Sequence, residues 1–206
     1  MVYAELDQLL IIPCPVADTG DVGHRFQQVG LDIEKLCEIG VKLGADVPFC
    51  IRKGTMLAEG IGEILTPLTP LTGIPVLLIK PNISISTPYV YKHLKLNELD
   101  YHPDNKAVIS YIKDKNIKKI AASLSNVLET VTIPENPIIA ELKRYLTEIG
   151  AIGSLMSGSG PTVFALFDNY EMALRAKEAL LEWGQVPLVY VTDLYRVREE
   201  TPVNYW

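Results

Sequence analysis

Ala151-Ile152-Gly153-Ser154-Leu155-Met156-Ser157-Gly158-Ser159-Gly160-Pro161-Thr162-Val163-Phe164-Ala165-Leu166-Phe167 reads as two apolar strands, 151–156 and 162–167, joined by a glycine-serine turn. The runs are short, rich in β-branched and aromatic residues, and bounded by Gly and Pro, as buried strands are. Downstream, residues 170–183 repeat apolar positions at helical spacing, and residues 186–193 form another apolar run. A strand, a helix and a returning strand after a hairpin give the β-α-β step of a ferredoxin-like layout.

Upstream, Pro75 and Val76-Leu77-Leu78-Ile79-Lys80 predict a further buried strand. Residues 87–94 predict a helix with Thr87 as cap and Pro88 in the first turn, where a missing N–H costs nothing. Residues 104–113 and 117–129 follow as helices. Residues 137–149 are expected to be the longest, on a stripe of Ile138, Ile139, Leu142, Tyr145, Leu146 and Ile149 closed by Gly150. The expected fold class is thus α+β, with helices on one face of an antiparallel sheet.

Toward the N-terminus the pattern weakens. Residues 33–43 predict a helix, with Asp32 as N-cap and Gly44 as its stop. Val47, Phe49, Ile51 and residues 55–57 suggest two short strands or a bulged strand, followed by a turn at 59–63 and an extended stretch at 64–68. Residues 9–12 suit a short buried strand, and residues 13–28 show no sustained period.

The chain of 206 residues is long enough for one large domain or two small ones. Its 48% hydrophobic and 21% charged content is that of an ordinary globular protein. A net charge of −6 disfavours nucleic-acid binding by broad phosphate neutralisation, but leaves room for a small backbone-lined anion site. No apolar run approaches the ~20 residues of a membrane helix. Glu5 and Asp7 stand where a signal peptide would be basic and then apolar, so a cytoplasmic enzyme without membrane or nucleic-acid partners is expected. Cys14, Cys37 and Cys50 and the scattered His24, His93 and His102 have neither disulfide nor zinc spacing.

Four segments carry chemistry. In Gly44-Ala45-Asp46-Val47-Pro48-Phe49, a carboxylate at a helix-strand junction could orient a hydroxyl proton, contribute an oxygen to a metal, or belong to a plain turn. In Ser157-Gly158-Ser159-Gly160-Pro161-Thr162, glycine amides can converge on an anion, or can simply turn a hairpin. That segment lacks the Gly-Lys-Ser/Thr of a P-loop and the third glycine of a dinucleotide fingerprint. Ala58 to Glu63 reads as an exposed turn with two acids. Ser84 to Thr87 reads first as helix-capping hydroxyls.

In this order, these segments resemble the GHMP family of small-molecule kinases. The matching stretches are residues 43–50 (LGADVPFC), 54–63 (GTMLAEGIGE), 81–91 (PNISISTPYVY), 125–129 (SNVLE) and 156–167 (MSGSGPTVFALF), and the likeness covers roughly residues 29–195. Within that family they are similar to the enzymes that phosphorylate a cytidine-diphosphate-linked methylerythritol in the non-mevalonate isoprenoid route. The resemblance implies ATP and Mg²⁺ as co-reactants and Asp46 as catalytic aspartate. It also implies a cleft loop of Ser157, Gly158, Ser159 and Gly160 beside phosphate or substrate diphosphate. It implies a C-terminal ferredoxin-like α/β sandwich over residues 73–206 and, over 1–72, a remnant of an S5-domain-2-like N-terminal domain whose residues 1–28 are atypical.

The family's N-terminal strand with a catalytic lysine has no counterpart, since no Lys or Arg precedes Arg25. Where the family has a phosphate-cradling glycine loop, residues 17–24 read ADTGDVGH, and carboxylates repel phosphate. The expectation is a kinase by descent whose activity in this chain alone is low. The alternatives are a non-catalytic binding or regulatory relative, or another GHMP small-molecule kinase.

Overall fold

A computed structural model of the chain describes residues 31–99 and 103–194. The readings at residues 9–12 and 17–24, and Cys14, His24 and His102, lie outside the described residues. What is described divides into two compact units, one over residues 31–73 and the other over Ile74–Leu194.

The first unit opens with α1 (Ile33–Gly40). Asp32 caps it, accepting the Lys35 N–H at 2.7 Å. The helix stops at Gly40, short of the expected Leu43. The N–H groups of Lys42 and Leu43 reach back only three residues, to Ile39 and Gly40, tightening the last turn. Gly40 is also where the next helix comes close: a Cβ there would lie 2.8 Å from Val47 Cγ1.

That next helix, α2 (Val47–Arg52), replaces the strands expected at 47–52. Pro48 in its first turn is a helix-start signal, and Val47 and Ile51 one turn apart close on Gly40. The alternation of Val47, Phe49 and Ile51 is too short to distinguish one helical turn from a strand. Lys53 (φ 58°) and Gly54 (φ 90°) then redirect the chain into the hairpin of β1 (Met56–Glu59) and β2 (Ile64–Pro67). Glu59 pairs with Ile64 across the expected turn. Leu36, Cys37, Phe49, Met56, Ala58 and Leu71 are buried.

The second unit holds a four-stranded antiparallel sheet in the order β4-β5-β3-β6, formed by β3 (Pro75–Lys80), β4 (Gly153–Met156), β5 (Val163–Leu166) and β6 (Leu188–Asp193). This is the ferredoxin-like order, with the first and third strands central. Between β3 and β4 run α3 (Thr87–His93), a 3₁₀ turn at Leu96–Glu98, α4 (Asn105–Lys113), α5 (Ile117–Ala122), α6 (Glu129–Glu135) and α7 (Ile138–Glu148). The crossover from β5 to β6 is α8 (Tyr170–Trp183), closed by left-handed Gly184.

One sheet face, with Leu77, Ile79, Val163, Ala165 and Val189, packs on Ile139, Leu142 and Leu146 of α7 and Ala173, Ala176 and Leu180 of α8. Burying the Leu, Ile and Val side chains among these contributes about 1.5–3 kcal/mol each before entropy. Contrary to the expected one-sided layout, a helix also lies on the other face. The register puts Gly153 beside Leu166 there, and a Cβ on Gly153 would lie 2.8 Å from Ala121 Cβ of α5.

Three further expectations change. Ser86, not Thr87, is the α3 N-cap residue, and its side chain caps nothing. The helix expected over 117–129 breaks after Ala122 and resumes as α6 at Glu129. At 14 residues, α8 is longer than α7, which has 11.

Candidate functional site

The four candidate segments come together in pairs, one pair in each unit. In the first unit, Asp46 occupies the N-cap position of α2, but with αR backbone angles (φ −84°, ψ −9°) and no side-chain cap bond. An N-cap carboxylate normally accepts the N–H two or three residues on. Here it is exposed and holds no hydrogen bond or ion pair among the described residues. Its neighbour is the 59–63 turn. Gly62, at φ +115°, brings its Cα so near that a Cβ would stand 3.7 Å from Asp46 Oδ1 and 3.6 Å from the Ala45 carbonyl. Glu63 folds back on its own turn and accepts the Ile61 N–H at 2.7 Å. The turn read as a bare surface feature therefore shapes the ground beside Asp46.

In the second unit the 157–161 loop turns β4 into β5, and its carbonyls are tied down one after another. Asn126 Nδ2 donates to Met156 O and to Gly158 O, each at 2.8 Å. Gly160 N–H donates to Ser157 O at 2.9 Å, and Thr132 Oγ1 to Ser159 O at 3.3 Å. Glu129 accepts the Met156 N–H at 2.9 Å and the Lys143 ammonium at 2.6 and 2.8 Å, so its charge behind the loop is compensated. Ser159 Oγ lies 2.7 Å from Thr87 Oγ1, joining the hydroxyl segment at 84–87 to the loop. Thr87 is thus engaged with the loop rather than with its own helix.

Gly158 is exposed at φ +54°, and nothing lies within 4 Å of where its Cβ would be. The N–H groups of Gly158 and Ser159 donate to no backbone carbonyl among the described residues. A loop whose 157–159 carbonyls are engaged and whose two adjacent amides are available can meet an anion.

No three His, Cys, Asp or Glu side chains come together as a metal site among the described residues. No helix among the described residues is long and apolar enough to cross a membrane. Sequence reasoning missed Thr132, Lys143 and the role of Asn126. Asn126 and Glu129 lay in the 125–129 stretch, but helical periodicity ran through the break that frees their side chains.

With this geometry in place, comparison shows what the chain is similar to. Residues 108–186 match the family described as GHMP kinases C terminal, a span that holds Asn126, Glu129 and the glycine loop. Over those residues the chain is similar to the C-terminal domain of the GHMP kinases. More particularly, it is 49% identical over 162 residues to the 4-diphosphocytidyl-2-C-methyl-D-erythritol kinase of Acetivibrio thermocellus, and 40% identical over 172 residues to that of Lachnospira eligens. These alignments take in 78% and 84% of this chain but 57% and 60% of the relatives, so the chain spans little more than half their length.

Among solved structures, a 4-(cytidine 5'-diphospho)-2C-methyl-D-erythritol kinase superposes with a TM-score of 0.69 at 27% identity, covering 84% of this chain and 62% of that one. A homoserine kinase from Cytophaga hutchinsonii shares the fold, with a TM-score of 0.67 at 18% identity over 82% of this chain and 61% of that one.

Proposed function

We propose that the chain serves phosphoryl transfer from ATP to a hydroxyl of 4-diphosphocytidyl-2-C-methyl-D-erythritol, in the non-mevalonate isoprenoid route, with Asp46 as the catalytic carboxylate. The names of the relatives support the substrate. The observation that carries the chemistry is the unengaged carboxylate of Asp46, at a position where an aspartate would normally cap its helix.

In the reaction, a bond forms between the substrate hydroxyl oxygen and the γ-phosphorus. The bond to the β,γ-bridging oxygen breaks, and ADP leaves with that electron pair. The hydroxyl proton passes to Asp46 or to the transferred phosphoryl group. Phosphoryl transfer proceeds through a loose transition state and depends mainly on positioning and charge stabilisation. Asp46 therefore acts chiefly by aligning the hydroxyl through a charge-assisted hydrogen bond. ATP enters as its magnesium complex, the metal being part of the substrate. The amides of Gly158 and Ser159 meet phosphate oxygens, from ATP or from the substrate diphosphate.

Residues 31–206 fused behind the N-terminal portion of the Acetivibrio relative provide the test. We expect this fusion to release ADP only when magnesium-ATP and the cytidine-diphosphate-linked substrate are both present. Asp46→Asn keeps the shape and removes the charge, and should lower kcat about 100-fold or more, equivalent to ~2.7 kcal/mol. A fusion folded by circular dichroism yet inert, or an Asp46→Asn variant within about threefold of its parent (~0.7 kcal/mol), overturns the reading.

A further inference from the structure

We propose that Asn126 is a positioning residue for the anion-binding face of the 157–161 loop, a role resting on the reading that this loop meets phosphate oxygens. The basis is the division of labour in its amide. Oδ1 accepts the N–H of Leu128 at 2.9 Å, fixing the break before α6. Nδ2 uses its two hydrogens on two loop carbonyls, Met156 O and Gly158 O, both at 2.8 Å. One planar group thus ties the entry to α6 to both the end of β4 and the tip of the loop.

The electrostatic consequence follows from which atoms are engaged. A carbonyl oxygen carries partial negative charge and opposes an approaching anion, whereas an amide hydrogen attracts it. Asn126 takes the oxygens of Met156 and Gly158. Thr132, itself buried, takes that of Ser159, and Gly160 takes that of Ser157. The Gly158 and Ser159 amides remain. Because Gly158 has a left-handed φ and no neighbour within 4 Å of its Cβ position, its peptide planes have room to rotate. The hydrogen bond from Asn126 holds the Gly158 carbonyl, and with it the plane that carries the Ser159 N–H.

The variant that separates this role from folding is Asn126→Asp. It keeps the acceptor for Leu128 N–H and the side-chain volume, deletes both donors, and adds one negative charge. Inorganic pyrophosphate is the probe, titrated into the full chain while amide resonances are followed. In the parent, Gly158 and Ser159 should shift saturably. In Asn126→Asp, the affinity should fall at least tenfold, from the lost donors and the added negative charge together, and exchange measured without pyrophosphate reads the tethering apart from that charge's repulsion of the probe. Without pyrophosphate, the Gly160 amide should exchange about tenfold faster in the variant while those of Leu77 and Leu146 hold their rates.

A parent whose Gly158 and Ser159 resonances do not move removes the phosphate reading, and this role with it. A parent that binds, beside a variant that binds within twofold, removes the role of Asn126 alone. Should the variant not fold, through-hydrogen-bond couplings from Asn126 Nδ2 to the Met156 and Gly158 carbonyls decide the matter in the parent. They should persist when pyrophosphate is bound, and their loss on binding overturns the proposal.

Discussion

Gly62 does in backbone what Asp46 does in side chain. Its φ of +115° lies where L-residues are strained, and it closes the turn against the Ala45 carbonyl and the Asp46 carboxylate. Both contacts of an added Cβ would be ordinary in distance, so the cost of Gly62→Ala comes from φ. About 1–2 kcal/mol should be lost in urea unfolding. Cys37 supplies a second measurable residue. Its thiol is buried, with Sγ 3.9 Å from the Pro48 carbonyl, and burial pushes its pKa up, against a smaller opposing effect of Arg52. Thiolate is the reactive form, so Cys37 should alkylate more slowly in the native chain than in urea, as read from labelled peptides by mass spectrometry. The linkage has the matching sign. The unfolded thiol loses its proton first, so this contribution to stability is complete below the ordinary thiol pKa and falls as pH rises through it. The residues alone left Asp46 and the glycine loop open between a site and plain turns, and only the family resemblance singled them out as site candidates. Asn126 was not legible, because an asparagine inside an apolar period shows no partner until the chain is folded.

Short elements carried the misreadings, and for a common reason. Over six residues, Val47, Phe49 and Ile51 satisfy period two, yet Val47 and Ile51 also sit one helical turn apart. Packing against Gly40 decides between the readings, and that contact is tertiary. The 117–129 stretch failed in the opposite sense, since its periodicity continued across a break that its own Asn126 side chain holds, tied to Leu128 N–H and to backbone carbonyls of the 157–161 loop region. By contrast, α8, with Asn169 capping it through Met172 N–H and Gly184 ending it, matched its sequence boundaries. At 14 residues, its local signals outnumber any single distant contact. The α5–β4 contact makes a prediction of its own. A Cβ on Gly153 would meet Ala121 Cβ at 2.8 Å, the Ala121 carbonyl at 2.9 Å and Cα at 3.1 Å, and backbone cannot swing aside. Gly153→Ala should therefore cost about 1–3 kcal/mol by forcing helix and sheet apart. Adding Ala121→Gly should recover only part of it, because the carbonyl remains. Full recovery in thermal unfolding would show that the side chain alone set the spacing.

Taken entire, the chain joins a unit whose described part is two short helices and a hairpin to one built on a four-stranded antiparallel sheet. Residues 74–194 span a length ordinary for an autonomous domain and own a continuous core of β3, α7, β5 and α8 side chains. Strand order makes that core depend on both ends of the segment. β3 is central, bonded on one side to β5 and on the other to β6, the last strand among the described residues. The N–H of Leu194 donates to the Ile74 carbonyl at 2.9 Å, and that of Phe167 to Pro75 O at 3.0 Å. A fragment of residues 74–194 should thus fold alone, with dispersed amide resonances and one cooperative urea transition. A fragment of residues 74–167 should not. It keeps β3, β4 and β5 but lacks β6, which pairs with β3 along its whole length, and α8, which buries Ala173, Ala176 and Leu180 against it. That leaves a long apolar strand as an open edge, a template for aggregation rather than for folding. An unfolded 74–194 fragment, or a monomeric and cooperatively folded 74–167 fragment, would show that the pairing of β6 with central β3 is not what makes this unit stand by itself.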